Sequence, residues 1–254
     1  MDIAMIVTDL DNTLLTSDKR VSPRTVKALT ACQAKGILVA FATARPPRTV
    51  ERFVHDVHPD AVAYHNGAIV RTAQGDVMRA AMTLNEAREL ASRMLVSDAQ
   101  ARISMEVGDR LFANFDMSHI RGCDDFILSD FAELPDEPVY KMILGVRDSH
   151  DIARIARLLP EQLYVERCED TLALVMARGA TKLNGVRRIA QASGIPLERV
   201  AAFGDDMNDV EMLRACGVGV AMGNGIAEAK AAADYVCRRN DEDGVAVWLE
   251  ENLL

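Results

Sequence analysis

The pentapeptide Asp9-Leu10-Asp11-Asn12-Thr13 follows directly on a short apolar run. Two carboxylates two positions apart at a strand end can divide their work. One stays ionised, to attack an electrophile or hold a cation, while the other, with a raised pKa, carries a proton. Asp and Asn after a strand equally well form Asx turns or helix caps, so the motif gains chemical meaning from its company. A second cluster, Gly204-Asp205-Asp206-Met207-Asn208-Asp209, also follows an apolar run. Its crowded carboxylates repel one another unless a cation is present. Oxygen-only ligands suit Mg²⁺, which keeps several waters and one or two carboxylates. Asn208 and Asp209 can also cap the helix that follows. Thr43-Ala44-Arg45 ends another apolar run. The Thr43 hydroxyl there can donate to a phosphoryl oxygen together with the first N–H groups of the next helix; taken alone, Thr43 reads as a cap. Lys182 opens a helix, where an ammonium can meet a phosphate as a point charge; taken alone, it reads as solvated surface.

The elements that must position these residues follow from pattern. A buried strand at Ile3–Thr8 leads through a polar loop to a helix with Ser22 as N-cap and Pro23 at its first position, closed by Gly36. A strand at Ile37–Ala42, a helix at Pro47–Val57 and a strand at Ala61–Tyr64 complete β-α-β-α-β. Continuous apolar strands alternating with helices predict a parallel sheet covered on both faces. The fold class is therefore α/β, a doubly wound, Rossmann-like core. Ligands in such sheets bind outside the carboxyl ends of the strands, which puts the strand-end motifs on one rim. The rhythm then changes. A hairpin around Gln74-Gly75-Asp76 is followed by a helix at Leu84–Val96, a hairpin around Gly108-Asp109, a strand at Val139–Val146, a helix at Asp151–Leu159 and a hairpin around Glu169-Asp170. This is an inserted α+β domain over residues 82–178, with an antiparallel sheet and helices on one face. The core is expected over residues 1–81 and 179–254. The parallel pattern returns with a helix at Lys182–Ala192, strands at Val200–Phe203 and Val218–Ala221, a helix beginning near Asn208 and a last helix at Asp243–Leu253.

In this order and spacing, Asp9-x-Asp11-x-Thr13, Thr43, Lys182 and Gly204-Asp205-x-x-Asn208-Asp209 resemble the haloacid dehalogenase-like superfamily of phosphohydrolases. More narrowly, they resemble its Cof-type members, which carry a large α+β cap of the IIB type. The resemblance covers essentially the whole chain. It implies that Asp9 is a nucleophile forming an aspartyl-phosphate, and that Asp11 protonates the leaving alcohol and then activates water. Thr43 and Lys182 would bind the phosphoryl group, with Ala44, Arg45, Asn66 and Asn208 as further phosphate- or substrate-binding candidates. Mg²⁺ would be held by Asp9, the main-chain carbonyl of Asp11 and Asp205, with Asn208 and Asp209 close by. Asn66-Gly67-Ala68 and Gly223-Asn224-Gly225 match family loops beside the site, although Asn-Gly is first of all a turn signal. The chain departs from the family at Ala44, where Gly is usual, and at Lys182-Leu183, where Lys-Gly is usual.

Composition narrows the partners. The 254 residues, 49% apolar and 26% charged, are ordinary for a globular chain and need neither disulfides nor a structural metal to hold a core. Five dispersed cysteines form no C-x-x-C pair and are expected to be reduced thiols in a cytosol. The start of the chain shows no basic, signal-like region. With a net charge of −9, nucleic acid and anionic membranes are not expected as main partners. Four candidate carboxylates against Lys182 alone would repel a phosphate dianion, which predicts an obligatory metal. The expectation is a cytoplasmic, Mg²⁺-dependent phosphatase, monomeric or homodimeric, acting on a small phosphorylated metabolite. A sugar phosphomutase or phosphotransferase using the same aspartate stays open. A phosphate-accepting receiver domain is opposed by the length and by an aspartate on the first strand.

Overall fold

The computed structural model describes residues 1–254 apart from 52, 54–56, 121–124 and 170, and apart from the side chain of Glu169. The chain divides into two compact units, Met1–Arg79 with Ala180–Leu254, and Ala80–Gly179.

In chain order the first unit begins with β1 (Met5–Thr8), α1 (Pro23–Ala34), β2 (Leu38–Ala42), a single turn α2 (Pro47–Val50), β3 (Ala61–Tyr64), β4 (Ile69–Thr72) and β5 (Gly75–Arg79). The Ser22 side chain accepts from the Thr25 amide and Pro23 opens α1, as its sequence predicts. The expected helix from Pro47 to Val57 is described as helical only through Val50, and its positions 52 and 54–56, including His55, lie outside the described residues.

The second unit contains α3 (Leu84–Ser97), β6 (Ile103–Val107), β7 (Arg110–Ala113), β8 (Phe126–Leu128), β9 (Val139–Gly145), α4 (Ser149–Leu158), β10 (Leu163–Glu169) and β11 (Leu172–Ala177). Its sheet runs β10-β11-β9-β6-β7-β8. Ile103, Met105, Met142, Leu144 and Val175 on one face pack with Leu90 and Met94 of α3 and Ile155 of α4. The pairing is antiparallel except at the unforeseen β8, which runs parallel to β7. Three residues are too few to show an alternating pattern in sequence. Asp170 of the expected Glu169-Asp170 turn, Cys123 and Asp124 lie outside the described residues.

The first unit resumes with α5 (Lys182–Ala192), β12 (Val200–Gly204), α6 (Val210–Ala215), β13 (Val218–Ala221), α7 (Ala227–Ala232), β14 (Tyr235–Val236) and α8 (Gly244–Asn252). Its sheet has the order β14-β13-β12-β1-β2-β3-β4-β5. Every pairing from β14 to β3 is parallel, and β4 and β5 add an antiparallel hairpin. Met5, Val7, Ala40, Ala42, Ala63 and Ala202 on one face bury Leu183, Val186 and Ile189 of α5 and Met212 of α6. On the other face, Phe203 meets Trp248 of α8 edge-on at 5.3 Å between ring centroids. Small strand residues let α5 lie close. A Cβ on Gly185 would come within 2.7 Å of the Ala63 Cβ and 3.0 Å of the Gly67 Cα, neither of which can rotate away. Gly185→Ala is accordingly expected to lower stability by about 1–3 kcal/mol, read as a shift in the urea midpoint with an unchanged slope.

Candidate active site

β1 and β12 are neighbours in register, Thr8 opposite Phe203, so the two acidic clusters leave the sheet side by side. The Asp9 amide donates to the Phe203 carbonyl at 3.0 Å. Beyond it the chain turns tightly. Leu14 N–H donates to the Asp9 carbonyl and Leu15 N–H to the Leu10 carbonyl, with Asn12 in the left-handed region at φ 58°, a conformation that asparagine tolerates better than most residues. At the end of β12, Asp209 folds back. Its Oδ2 accepts from the amides of Asp205 and Asp206 at 2.9 and 3.1 Å. Gly204 makes this possible, because a Cβ there would lie 2.5 Å from both Cβ and Cγ of Asp209.

Lys182, at the start of α5, reaches between the clusters. Its Nζ lies 2.8 Å from Asp9 Oδ1 and 2.7 Å from Asp209 Oδ1, and its side chain is 1% exposed. Burial opposes charge on Lys182, but the carboxylates of Asp209 and Asp9 outweigh it and push its pKa up. Burial raises the pKa of Asp9 against the pull of Lys182, with Asp209 and Asp205 adding to the rise. Asp205 is pushed up to about 6, chiefly by burial, although the Thr13 hydroxyl donates to its Oδ1 at 2.6 Å. Three buried carboxylates thus share one ammonium. Asp9, Asp205 and Asp209 each offer an oxygen within 4.8 Å of the others, a group that could hold a metal ion. The buried Asn208 Oδ1 has no hydrogen-bond partner among the described residues. An all-oxygen, charge-excess set with an orphaned acceptor beside it fits a hard divalent cation such as Mg²⁺.

Asp11 is held apart from this cluster. Its carboxylate accepts from Arg45 Nε at 2.6 Å and a terminal Arg45 nitrogen at 2.7 Å, and from Lys19 Nζ at 2.8 Å. Burial works against ionisation, but these hydrogen bonds prevail and hold the carboxyl at about 2. Reading four carboxylates against Lys182 alone therefore overstates the charge imbalance, since Asp11 has two cations of its own. Nothing in the polar loop around Lys19 announces that pairing in sequence. Arg45, a candidate for phosphate or substrate binding, pairs with Asp11 and lies over the Phe53 ring at 4.6 Å.

Thr43 ends β2. Its Oγ1 accepts from the Arg45 amide at 3.1 Å, a capping bond that leaves the hydroxyl proton available for donation. Ala44 lies between them, half-buried. Asn66, buried and left-handed at φ 55°, donates its amide N–H to the Thr43 carbonyl at 2.8 Å and accepts from Asn208 Nδ2 at 3.0 Å. Asn66 thus ties the Thr43 segment to the Asp205–Asp209 loop.

A family model described as haloacid dehalogenase-like hydrolase matches residues 6–249. The 5-amino-6-(5-phospho-D-ribitylamino)uracil phosphatase YitU of Bacillus subtilis is 28% identical, over 97% of this chain and 96% of that protein. A putative phosphatase of Haemophilus influenzae is 29% identical, over 97% of each. A solved sugar phosphatase of subclass IIB of the haloacid dehalogenase superfamily superposes with a TM-score of 0.83 at 26% identity, covering 97% of this chain and 98% of that one. No helix among the described residues is long and apolar enough to cross a membrane.

Proposed function

Because the chain belongs to the haloacid dehalogenase-like hydrolase family, we propose that it is a Mg²⁺-dependent phosphatase acting through a phosphorylated Asp9. Its substrate would be a small phosphorylated metabolite, a sugar phosphate or similar phosphomonoester. The observation that carries the reading is the buried Lys182 ammonium between Asp9 and Asp209 with Asp205 alongside. It is an arrangement with a nucleophile, a fixed cation and oxygen ligands at one strand-end rim. The phosphatase names of the relatives support the activity, and a sugar phosphatase among the solved structures supports the substrate class.

Asp9 attacks phosphorus, the ester P–O bond breaks, and the leaving alkoxide takes a proton from Asp11. Water then attacks the aspartyl-phosphate, giving its proton to Asp11, and the P–O bond to Asp9 breaks to release inorganic phosphate. Asp11 paired with Arg45 and Lys19 is in the ionised form that the second step needs; for the first it must exchange those cations for a proton. Lys182, the Thr43 hydroxyl and Asn208 bear on the phosphoryl oxygens. Asp9, Asp205 and the main-chain carbonyl of Asp11 would hold Mg²⁺, with Asn208 and Asp209 supporting. The ion would offset the charge of both the carboxylates and the substrate dianion. The unit Ala80–Gly179 would supply substrate selectivity as a cap domain. The buried thiols Cys32 and Cys216 suit a cytoplasmic setting.

Hydrolysis of an aryl phosphate with and without Mg²⁺ tests this. Turnover is expected with Mg²⁺ and a loss of at least about a hundredfold in excess EDTA. Metal-independent hydrolysis would refute the proposal, and turnover only of a sugar phosphate with a bisphosphate activator would favour the mutase.

A further inference from the structure

The loop between Asp9 and α1 is fastened from far away in sequence. Asn224 Nδ2 donates to the Asn12 carbonyl at 2.7 Å, and Asn224 Oδ1 accepts from the Asn240 amide at 2.9 Å. Asn240, 7% exposed, donates from its own Nδ2 to the Leu15 carbonyl at 2.9 Å. The Asp241 carboxylate accepts from both the amide and the hydroxyl of Ser17, at 2.7 and 2.6 Å, and Asp243 accepts from the Ser22 hydroxyl. The segment Asn240–Asp243, with Asn224 as its bridge, therefore grips the loop at Asn12, Leu15, Ser17 and Ser22.

These grips bear on the reacting groups. Asn12 is the left-handed residue that follows Asp11, and Leu15 closes the turn whose N–H groups return to the Asp9 and Leu10 carbonyls. The amide nitrogens of Asn224 and Asn240 donate to carbonyls that the turn itself leaves without a main-chain donor. The Leu15 carbonyl is buried, so stripping it of its donor costs free energy in that conformation alone. Asn224, whose own bond to the Asn12 carbonyl is exposed, supports that donor by holding the Asn240 amide. Loss of either residue therefore favours loops in which Asp9 and Asp11 point elsewhere. We infer that Asn240 and Asn224 are positioning residues that hold the Asp9–Asp11 turn in its reactive shape from the C-terminal end of the chain. For its kinetic consequence the inference rests on the phosphatase reading above.

The test uses the full-length protein with Mg²⁺, comparing wild type with Asn240→Asp and Asn224→Ala. Asn240→Asp keeps the size of the side chain and removes the donor; Asn224 is half-buried, so its truncation spares the core. In both variants kcat for an aryl phosphate is expected to fall about tenfold with KM within about twofold, because misplaced groups cost rate more than binding. Amide deuterium uptake is expected to rise in the peptide spanning residues 10–22, where the Leu14 and Leu15 amides are protected by the turn, and to stay unchanged in α5 and β12. An unchanged kcat, or unchanged uptake in that peptide, overturns the inference, as does uptake that rises throughout the first unit. If wild type itself hydrolyses no phosphomonoester, the proposed function fails. The exchange result then still decides whether these two residues hold the turn.

Discussion

Asp9→Asn is expected to lower phosphatase turnover by at least about a thousandfold, because an amide cannot form the covalent intermediate and the remaining groups act only around it. The substitution is nearly isosteric and keeps an oxygen for Lys182, so loss of activity would not come from loss of fold. Stability should move the other way. Burial raises the folded pKa of Asp9 above its ordinary value. Between those two values the folded chain binds more protons than the unfolded one, so its stability falls as pH rises through that window. Asn carries no such proton. In EDTA the melting temperature of Asp9→Asn should equal or exceed that of wild type, by a margin that grows between pH 5 and pH 8. Retained turnover would rule out covalent catalysis at Asp9; a lower melting temperature would mean that the charged carboxylate is stabilising.

Lys182→Met should be the most destabilising change at the site. The ammonium is 1% exposed and touches two carboxylates, on Asp9 and Asp209. Removing one partner of a buried ion pair strands charge in a low-dielectric setting at a cost of about 3–5 kcal/mol. Methionine fills similar volume, so the loss reports charge rather than a cavity. Equilibrium denaturation in EDTA at pH 7 measures it, and a loss under about 1 kcal/mol would mean that the carboxylates take up protons instead. Mg²⁺ should recover part of the loss in a saturable way, since a ligand that binds only the folded chain stabilises it by mass action. Turnover of the variant with Mg²⁺ should still fall by about 10²–10³-fold, the usual loss for one charge-stabilising donor.

The way the site could be read from the chain differs residue by residue. Asp9 and Asp205 were legible because they follow short apolar runs, and such runs between helices make a parallel sheet whose strand ends share a rim. Ser22-Pro23 announced α1 by local chemistry alone. Lys182 was legible only by its place at a helix start; its burial between two carboxylates is a product of folding. The short β8 and β14 and the six-residue, alanine-rich α7 carry too little pattern to be seen. Arg45 is a candidate for phosphate or substrate by its place after β2, but its pairing with Asp11, which Lys19 shares, is seen only in the folded chain. No spacing rule links Asn240 to Leu15 or Asp241 to Ser17.

By itself, then, the sequence determined the types of the longer elements, the doubly wound class of the first unit and the candidates for its strand-end rim, because periodicity and capping act over a few positions. Only the tertiary structure decided which carboxylate meets which cation, why Gly204 and Gly185 must lack a Cβ, and that the far end of the chain grips the Asp9–Asp11 turn. Those are contacts between groups remote in sequence, formed only when side-chain packing brings the strand ends and their loops together.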